Sequence, residues 1–170
     1  GWNCSKTGYY MRKFLDENQL ISETNVTPCV YFRLSEMYLN YAEAQYHLGN
    51  PVQCRWALNQ IRGRKGVEMP EIASTVSGQE LLNKIYQERR IELALEGHRY
   101  YDLRRWKLAE IYENAEVRGV KVIKTGDNTF TYDFNNLVLK PVFKAQYYWL
   151  PIPRAEIVKS NYTLTQTTGY

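Results

Sequence analysis

A chain of 170 residues, 44% hydrophobic and 24% charged, is about one domain long and apolar enough to bury a core, which excludes disorder. Its 22 basic and 18 acidic residues are interspersed and leave a formal charge of +4, so charge alone selects neither a nucleic acid nor a membrane surface as partner. No apolar run approaches the 18 residues of a membrane-spanning helix.

Residues 1–30 hold Gly, Asn, Ser and Pro28 without a helical period and read as an irregular lead-in, with one short extended piece at "GYYMRKFL". "GWNCSKTGYY" has neither an initiator Met nor the apolar stretch of a lipoprotein signal, so a mid-protein or trimmed start is expected and Cys4 is not read as a lipidation site. From Tyr31 the pattern becomes helical: Leu34, Met37, Tyr38, Tyr41, Ala42 and Leu48 recur at three- and four-residue steps, and Gly49-Asn50-Pro51 stops them. A second helix over Val52–Lys65 carries Trp56, Ala57, Leu58 and Ile61. The pair forms a helical hairpin that loosely echoes one tetratricopeptide unit.

Ser77 and Glu80 have the spacing of a capping box and open a third helix, whose apolar contacts run from Leu81, Leu82 and Ile85 to Ile91, Leu93 and Leu95 before Gly97 interrupts. A fourth helix is expected over Arg99–Tyr112. The period then changes to two: "EVRGVKVI" and "TFTYDF" flank Gly126-Asp127-Asn128 and predict a β-hairpin. "YYWLPIPRAEIVKSNY" gives an extended segment, a short helix with Pro153 near its start and an irregular polar tail. The fold class is mainly α, with tetratricopeptide-like helical hairpins and a small β element.

Chemistry-bearing residues are sparse. Cys4, Cys29 and Cys54 contain no CxxC pair, and His47 and His98 lie far apart, so no metal site and no cofactor are expected. The densest charge lies in "ERRIELALEGHRYYDLRRW", Glu88–Trp106. Glu88, Glu92 and Glu96 share one helix face, but glycoside hydrolysis needs two carboxyl groups facing each other across a cleft, and a di-metal bundle needs Glu-x-x-His. Nucleic-acid binding would need uncompensated charge, whereas these carboxylates and Asp102 neutralise most of Arg89, Arg90, Arg99, Arg104 and Arg105. The remaining reading is structural. Arg33 or Glu36 of the first helix, with Glu88, Arg89, Glu92, Glu96, Arg99, Asp102 and Arg105, are expected to form a largely buried ion-pair network. No catalytic residue is assigned.

"RLSEMYLNYAEAQYHLGN", "ALNQIRGRKG", "IYQERRIELALEGHRYYDLRRW", "YWLPIPRAEI" and "TLTQTTGY", in that order, resemble the carboxy-terminal region of the SusD/RagB family. The likeness spans Tyr31 to Tyr170, and "TGYYMRKFLDEN" resembles the segment preceding it. Where members commonly end in Asn-Pro-x-Leu-x-Gln-Asn-Pro-Gly-Tyr, this chain runs Asn161-Tyr162-Thr163-Leu164-Thr165-Gln166-Thr167-Thr168-Gly169-Tyr170 and lacks both prolines, which implies a looser tail.

The resemblance implies a largely helical, non-enzymatic glycan-binding lipoprotein of the outer-membrane surface, which delivers oligosaccharide or polysaccharide fragments to a SusC-like TonB-dependent transporter. It implies that residues 31–170 form a carboxy-terminal domain, that the lead-in continues from a missing amino-terminal part, and that a lipid anchor on that part is the sole membrane attachment. A helical-repeat adaptor binding proteins through Tyr31–Lys65 is the alternative. The family's signature around Glu88–Trp106 is structural and its ligand surface lies mostly upstream, so the isolated chain is expected to bind no oligosaccharide tightly. Sugar rings stack on exposed aromatic planes, and outside the motifs these are Trp2, Tyr9 and Tyr10 in the lead-in and Tyr132 in the hairpin, beside Asp133 and Asn135.

Overall fold

The computed structural model describes residues 4–19, 27, 28 and 30–170; Trp2 and Cys29 fall outside them. It is mainly helical with one two-stranded antiparallel sheet, and the chain divides into two compact units, Lys13–Arg99 and Gly1–Arg12 with Tyr100–Tyr170.

The Lys13–Arg99 unit holds α1 (Leu34–His47), α2 (Pro51–Arg62) and α3 (Gly78–Glu92). Their apolar positions repeat at three to four residues and meet in one core: Leu39 and Ala42 of α1, Cys54, Ala57, Leu58 and Ile61 of α2, and Leu81 and Ile85 of α3. Full burial of each leucine or isoleucine stabilises the unit by about 2 kcal/mol. Pro51 opens α2 at a position whose N–H is not needed. The loop after α2 returns to the core because Ile72 N–H donates to Asn59 Oδ1 (2.9 Å) and Arg62 Nε donates to the Pro70 carbonyl (2.8 Å).

Three local expectations differ. The first helix starts at Leu34, since Arg33 is still extended. Ser77 is the N-cap residue of α3, yet its side chain makes no capping hydrogen bond, so the Ser77–Glu80 spacing marks the start without forming the box. Leu95 adds nothing to the core: α3 ends at Glu92, and Leu95 is left-handed (φ 66°) and 62% exposed.

The other unit holds α5 (Ala109–Tyr112), β1 (Val117–Gly126), β2 (Thr129–Leu139), a 3₁₀ turn (Ala145–Tyr148) and α6 (Arg154–Lys159); α4 (His98–Arg105) lies mostly in it. The single fourth helix expected over Arg99–Tyr112 is thus two. Lys107 adopts φ 58°, Leu108 N–H donates to the Leu103 carbonyl (2.9 Å) and Lys107 N–H to the Arg104 carbonyl (3.1 Å). That is a Schellman closure with lysine where glycine is usual, held by the contact of Leu108 with the Leu103 core. No glycine or proline announced it.

Strands β1 and β2 pair through a two-residue turn at Asp127-Asn128, with Asn128 left-handed, and carry three register shifts. Both faces are mostly exposed. The lead-in lies along β1: Val120 N–H donates to the Thr7 carbonyl (2.8 Å), and a Cβ on Gly119 would sit 2.5 Å from that same oxygen, so only glycine allows the approach. A small core of Leu103, Ala109 and Phe143 is fixed by Asn114, which bonds both the N–H (2.5 Å) and carbonyl (3.1 Å) of Phe143.

The tail is held despite its missing prolines. Gln166 accepts from Ile152 N–H (2.8 Å) and donates to the Ile152 carbonyl (3.0 Å), imitating a strand partner. Tyr162 has φ 61°, which a pyrrolidine ring cannot adopt, and its N–H donates to the Ile157 carbonyl (3.0 Å) to close α6.

Candidate functional site

The charged stretch resolves at the carboxy-terminal end of α3. Carbonyl groups without helical partners point outward there and the helix dipole is negative, so Glu92 and Glu96 stand in an unfavourable place without cations. Three arrive from elsewhere in the sequence. Arg33 donates to Glu92 Oε1 (2.5 Å), to both Glu96 oxygens (2.7 Å each) and to the Glu92 carbonyl (2.5 Å). Lys13 bonds Glu96 and caps the carbonyls of Glu92 (3.1 Å) and Ala94 (2.9 Å). Arg64 clasps Glu92 with both terminal nitrogens and also donates to Ser35 Oγ (3.0 Å).

Burial pushes the Glu92 carboxyl up, but the hydrogen bonds from Arg64, Arg33 and Ser35 outweigh it and hold Glu92 at about 2. Glu96 is lowered in the same way, against its burial, by Arg33 and Lys13. The hydrogen bond to Glu96 is the main reason that the Arg33 guanidinium is raised above its ordinary value. A general acid must keep its proton near neutrality, and this carboxylate is held in the opposite condition. Among the described residues no group of His, Cys, Asp and Glu is arranged to hold a metal. Burial pushes Cys54 to about 11, so its thiol stays protonated as a small core residue.

The other members of the expected network sit in local groups. Glu88 pairs with Arg62 (2.8 Å), Glu36 lies 3.8 Å from His98, and buried Arg89 donates to Asn40 Oδ1 (2.7 Å). Arg99 is half-buried on α4, and buried Asp102 takes Arg105 from one turn along that helix (2.8 Å). Lys13, Arg62, Arg64 and Asn40 were not foreseen. Helical spacing shows which carboxylates share a face, whereas these partners come from distant loops and helices.

Of the aromatic residues chosen from the sequence, Tyr9 and Tyr10 are exposed on the lead-in and Tyr132 is exposed on β2, its ring 6.3 Å from Phe134 at 24° between planes. Thr7 and Gly8, against Gly119 and Val120, bring the lead-in to the base of the hairpin. A second aromatic surface was missed. Tyr100, Tyr112, Tyr147, Trp149 and Tyr170 line an open groove of about 670 Å³ in the Tyr100–Tyr170 part of the chain. Its charged lining is one pair: Arg104 donates to Glu113 Oε1 (2.9 Å), its guanidinium 3.4 Å from the Tyr100 ring centroid. Trp149 is 62% exposed, with Lys107 Nζ 4.8 Å from its ring centroid and its carbonyl accepting the Tyr170 hydroxyl (3.1 Å). The only sequence signal was the aromatic "YYW" before two prolines and the terminal tyrosine.

The SusD family model matches residues 1–170. A SusD-like protein of Formosa agariphila is 32% identical over 157 residues, which cover 88% of this chain and 26% of that protein. Among solved structures, a SusD-like protein from Bacteroides fragilis NCTC 9343 is 33% identical with a TM-score of 0.68, covering 83% of this chain and 26% of its own. Surface glycan-binding protein A from Bacteroides thetaiotaomicron is 26% identical with a TM-score of 0.52, covering 81% and 24%. The chain therefore spans about a quarter of the length of the relatives it matches.

Proposed function

Because this chain belongs to the SusD family, we propose that it is the carboxy-terminal part of a non-catalytic, surface glycan-binding protein that captures oligosaccharide and passes it to a SusC-like TonB-dependent transporter. The observation that carries this reading is the match of the whole chain, together with its likeness to a surface glycan-binding protein. The arrangement of the residues supports it. The densest cluster of charge spends its carboxylates on holding α3, and exposed aromatic rings stand elsewhere: Tyr9 and Tyr10 on the lead-in, Tyr132 on β2 and Trp149 at the groove. Exposed rings beside a few polar groups suit the C–H faces and hydroxyls of sugars.

In this reading the protein stands on the outer face of the outer membrane, held by a lipid on an upstream segment; no helix among the described residues is long and apolar enough to cross a membrane. Affinity isolation of the full-length protein from solubilised membranes is expected to recover a large β-barrel partner. Calorimetry against plant, microbial and host glycans is expected to find a ligand for the full-length protein and tighter binding there than in the 170-residue chain. A cytoplasmic protein that binds no glycan and no barrel would overturn the reading.

A further inference from the structure

We infer that one face of the β1–β2 hairpin, built from Val122, Phe130, Tyr132 and Phe134, is the seat of an apolar surface from the upstream part of the same polypeptide, an inference that rests on the reading of this chain as the carboxy-terminal part of a longer protein. The register sorts the hairpin into two unlike faces. Val122 stands opposite Tyr132 and Lys124 opposite Phe130, while Lys121 stands opposite Asp133 and Ile123 opposite Thr131. Side chains alternate along a strand, so the first two pairs share one face and the last two share the other. Phe134 joins the first face, its ring stacked with that of Tyr132 at 6.3 Å. Apolar residues on one face and polar residues on the other are the pattern of a sheet that buries one side. Yet Val122, Phe130, Tyr132 and Phe134 are between 44% and 63% exposed. A two-stranded hairpin is marginal in water without something packed against it, so this face needs a cover.

The rest of the polypeptide supplies it. This chain covers 26% of the relatives it matches, which leaves about three quarters of their length outside it. The lead-in crosses the base of the hairpin, where the Thr7 carbonyl accepts from Val120 N–H (2.8 Å) and Gly8 abuts Val120. Polypeptide joined to that lead-in is tethered beside the face, and tethering raises its local concentration far above that of a separate partner. A sugar fits the face less well, because a stacking plane for sugar works with hydrogen-bonding groups beside it. Asp133 lies on the opposite face, across from Lys121, and its Oδ1 accepts Asn135 N–H (2.9 Å). Lys124 lies 3.8 Å from Asp127 at the turn. Tyr132 therefore serves an interface within the protein and not the sugar.

The test places a photoreactive side chain on the face in the full-length protein, as Phe134→p-benzoylphenylalanine, and maps the linked peptides by mass spectrometry after irradiation. Expected is an intrachain link from position 134 to a peptide upstream of Gly1, lost in Thr131→p-benzoylphenylalanine, which puts the same group on the polar face. Hydroxyl-radical footprinting of the unsubstituted full-length protein is the second measurement, in which Phe130, Tyr132 and Phe134 are expected to escape oxidation. A link to a second copy or to another protein, an equal link from position 131, or no link at all overturns the inference. So do free oxidation of the three rings and protection that appears only when glycan is added. Failure here is separable from failure of the reading beneath it: a full-length protein that binds glycan yet leaves this face bare removes the interface alone, while a gene that encodes no upstream part removes the reading itself.

Discussion

The two units are stabilised by different means. In Lys13–Arg99, three helices share a continuous buried core, and cations from remote segments close the end of α3. In the other unit the core is three residues deep, and backbone clasps carry much of the order: Asn114 on Phe143, Gln166 on Ile152, and Thr7 on Val120. Exposed rings occur in both units, Tyr31 and Phe32 ahead of α1 in the first and Tyr132, Phe134 and Trp149 in the second, so the two means of stabilisation differ in how the backbone is held and not in whether rings reach the surface.

The contrast breaks first at Arg33. Arg33→Ala removes one of the two cations that hold each of Glu92 and Glu96, side chains 9% exposed, and leaves Arg64 and Lys13 in place; it is expected to cost about 2 to 3 kcal/mol, measured by urea unfolding followed at a helical signal. Arg33→Lys, keeping the charge without the fork, should recover part of it. A change below 1 kcal/mol would mean that the cluster is solvated and the helical unit rests on its core alone.

Acid sharpens the same point. The folded Glu92 carboxyl, at about 2, lies below its unfolded value, so its contribution to stability is complete above about pH 5 and is lost as the pH falls toward 2. The midpoint of unfolding should fall across that window, and the fall should be shallower in Glu92→Gln. A pH-independent midpoint between 5 and 2 would contradict the ion-clamp account.

For the clasped unit, Gly119→Ala drives a methyl group against the Thr7 carbonyl. A loss of about 1 to 3 kcal/mol is expected, together with faster hydrogen exchange at the Val120 amide, as the lead-in lifts from β1. Unchanged exchange would show that the clasp contributes nothing. The smallest effect belongs to Tyr170→Phe, which removes one hydroxyl bond to the Trp149 carbonyl at a cost of about 1 kcal/mol; it should appear in the Trp149 indole signal more than in global stability.

Much of the helical unit was legible in the sequence because burial imposes a period. Ala42, Leu58, Ile61, Leu81 and Ile85 fall at helical spacing, and Asp127-Asn128 between alternating strands is a turn on local grounds, whereas on the first helix the spacing picked out Leu34, Met37, Tyr41 and Leu48, which are exposed, and passed over the buried Leu39. The break at Lys107 was not legible, since a lysine pays for φ 58° with the tertiary contact of Leu108 on Leu103 rather than with a local signal. The carboxylates of the ion cluster could be chosen by spacing, but Lys13 reaches Glu96 across 83 positions and nothing local connects them. The groove is assembled from α4, α5, the 3₁₀ turn and the terminus, so each of its rings looked like ordinary packing when taken alone.

Tyr162 has a practical consequence for anyone engineering this protein. Replacing an odd residue by the one its relatives favour is a common route to greater stability, and it works when the backbone at that site is shared. Here the proline that the family resemblance would put at position 162 would demand a φ near −65° where the chain has 61°, and would delete the N–H that bonds Ile157. Consensus design at this position would therefore unlatch α6, and the deviation from the family is the residue to keep.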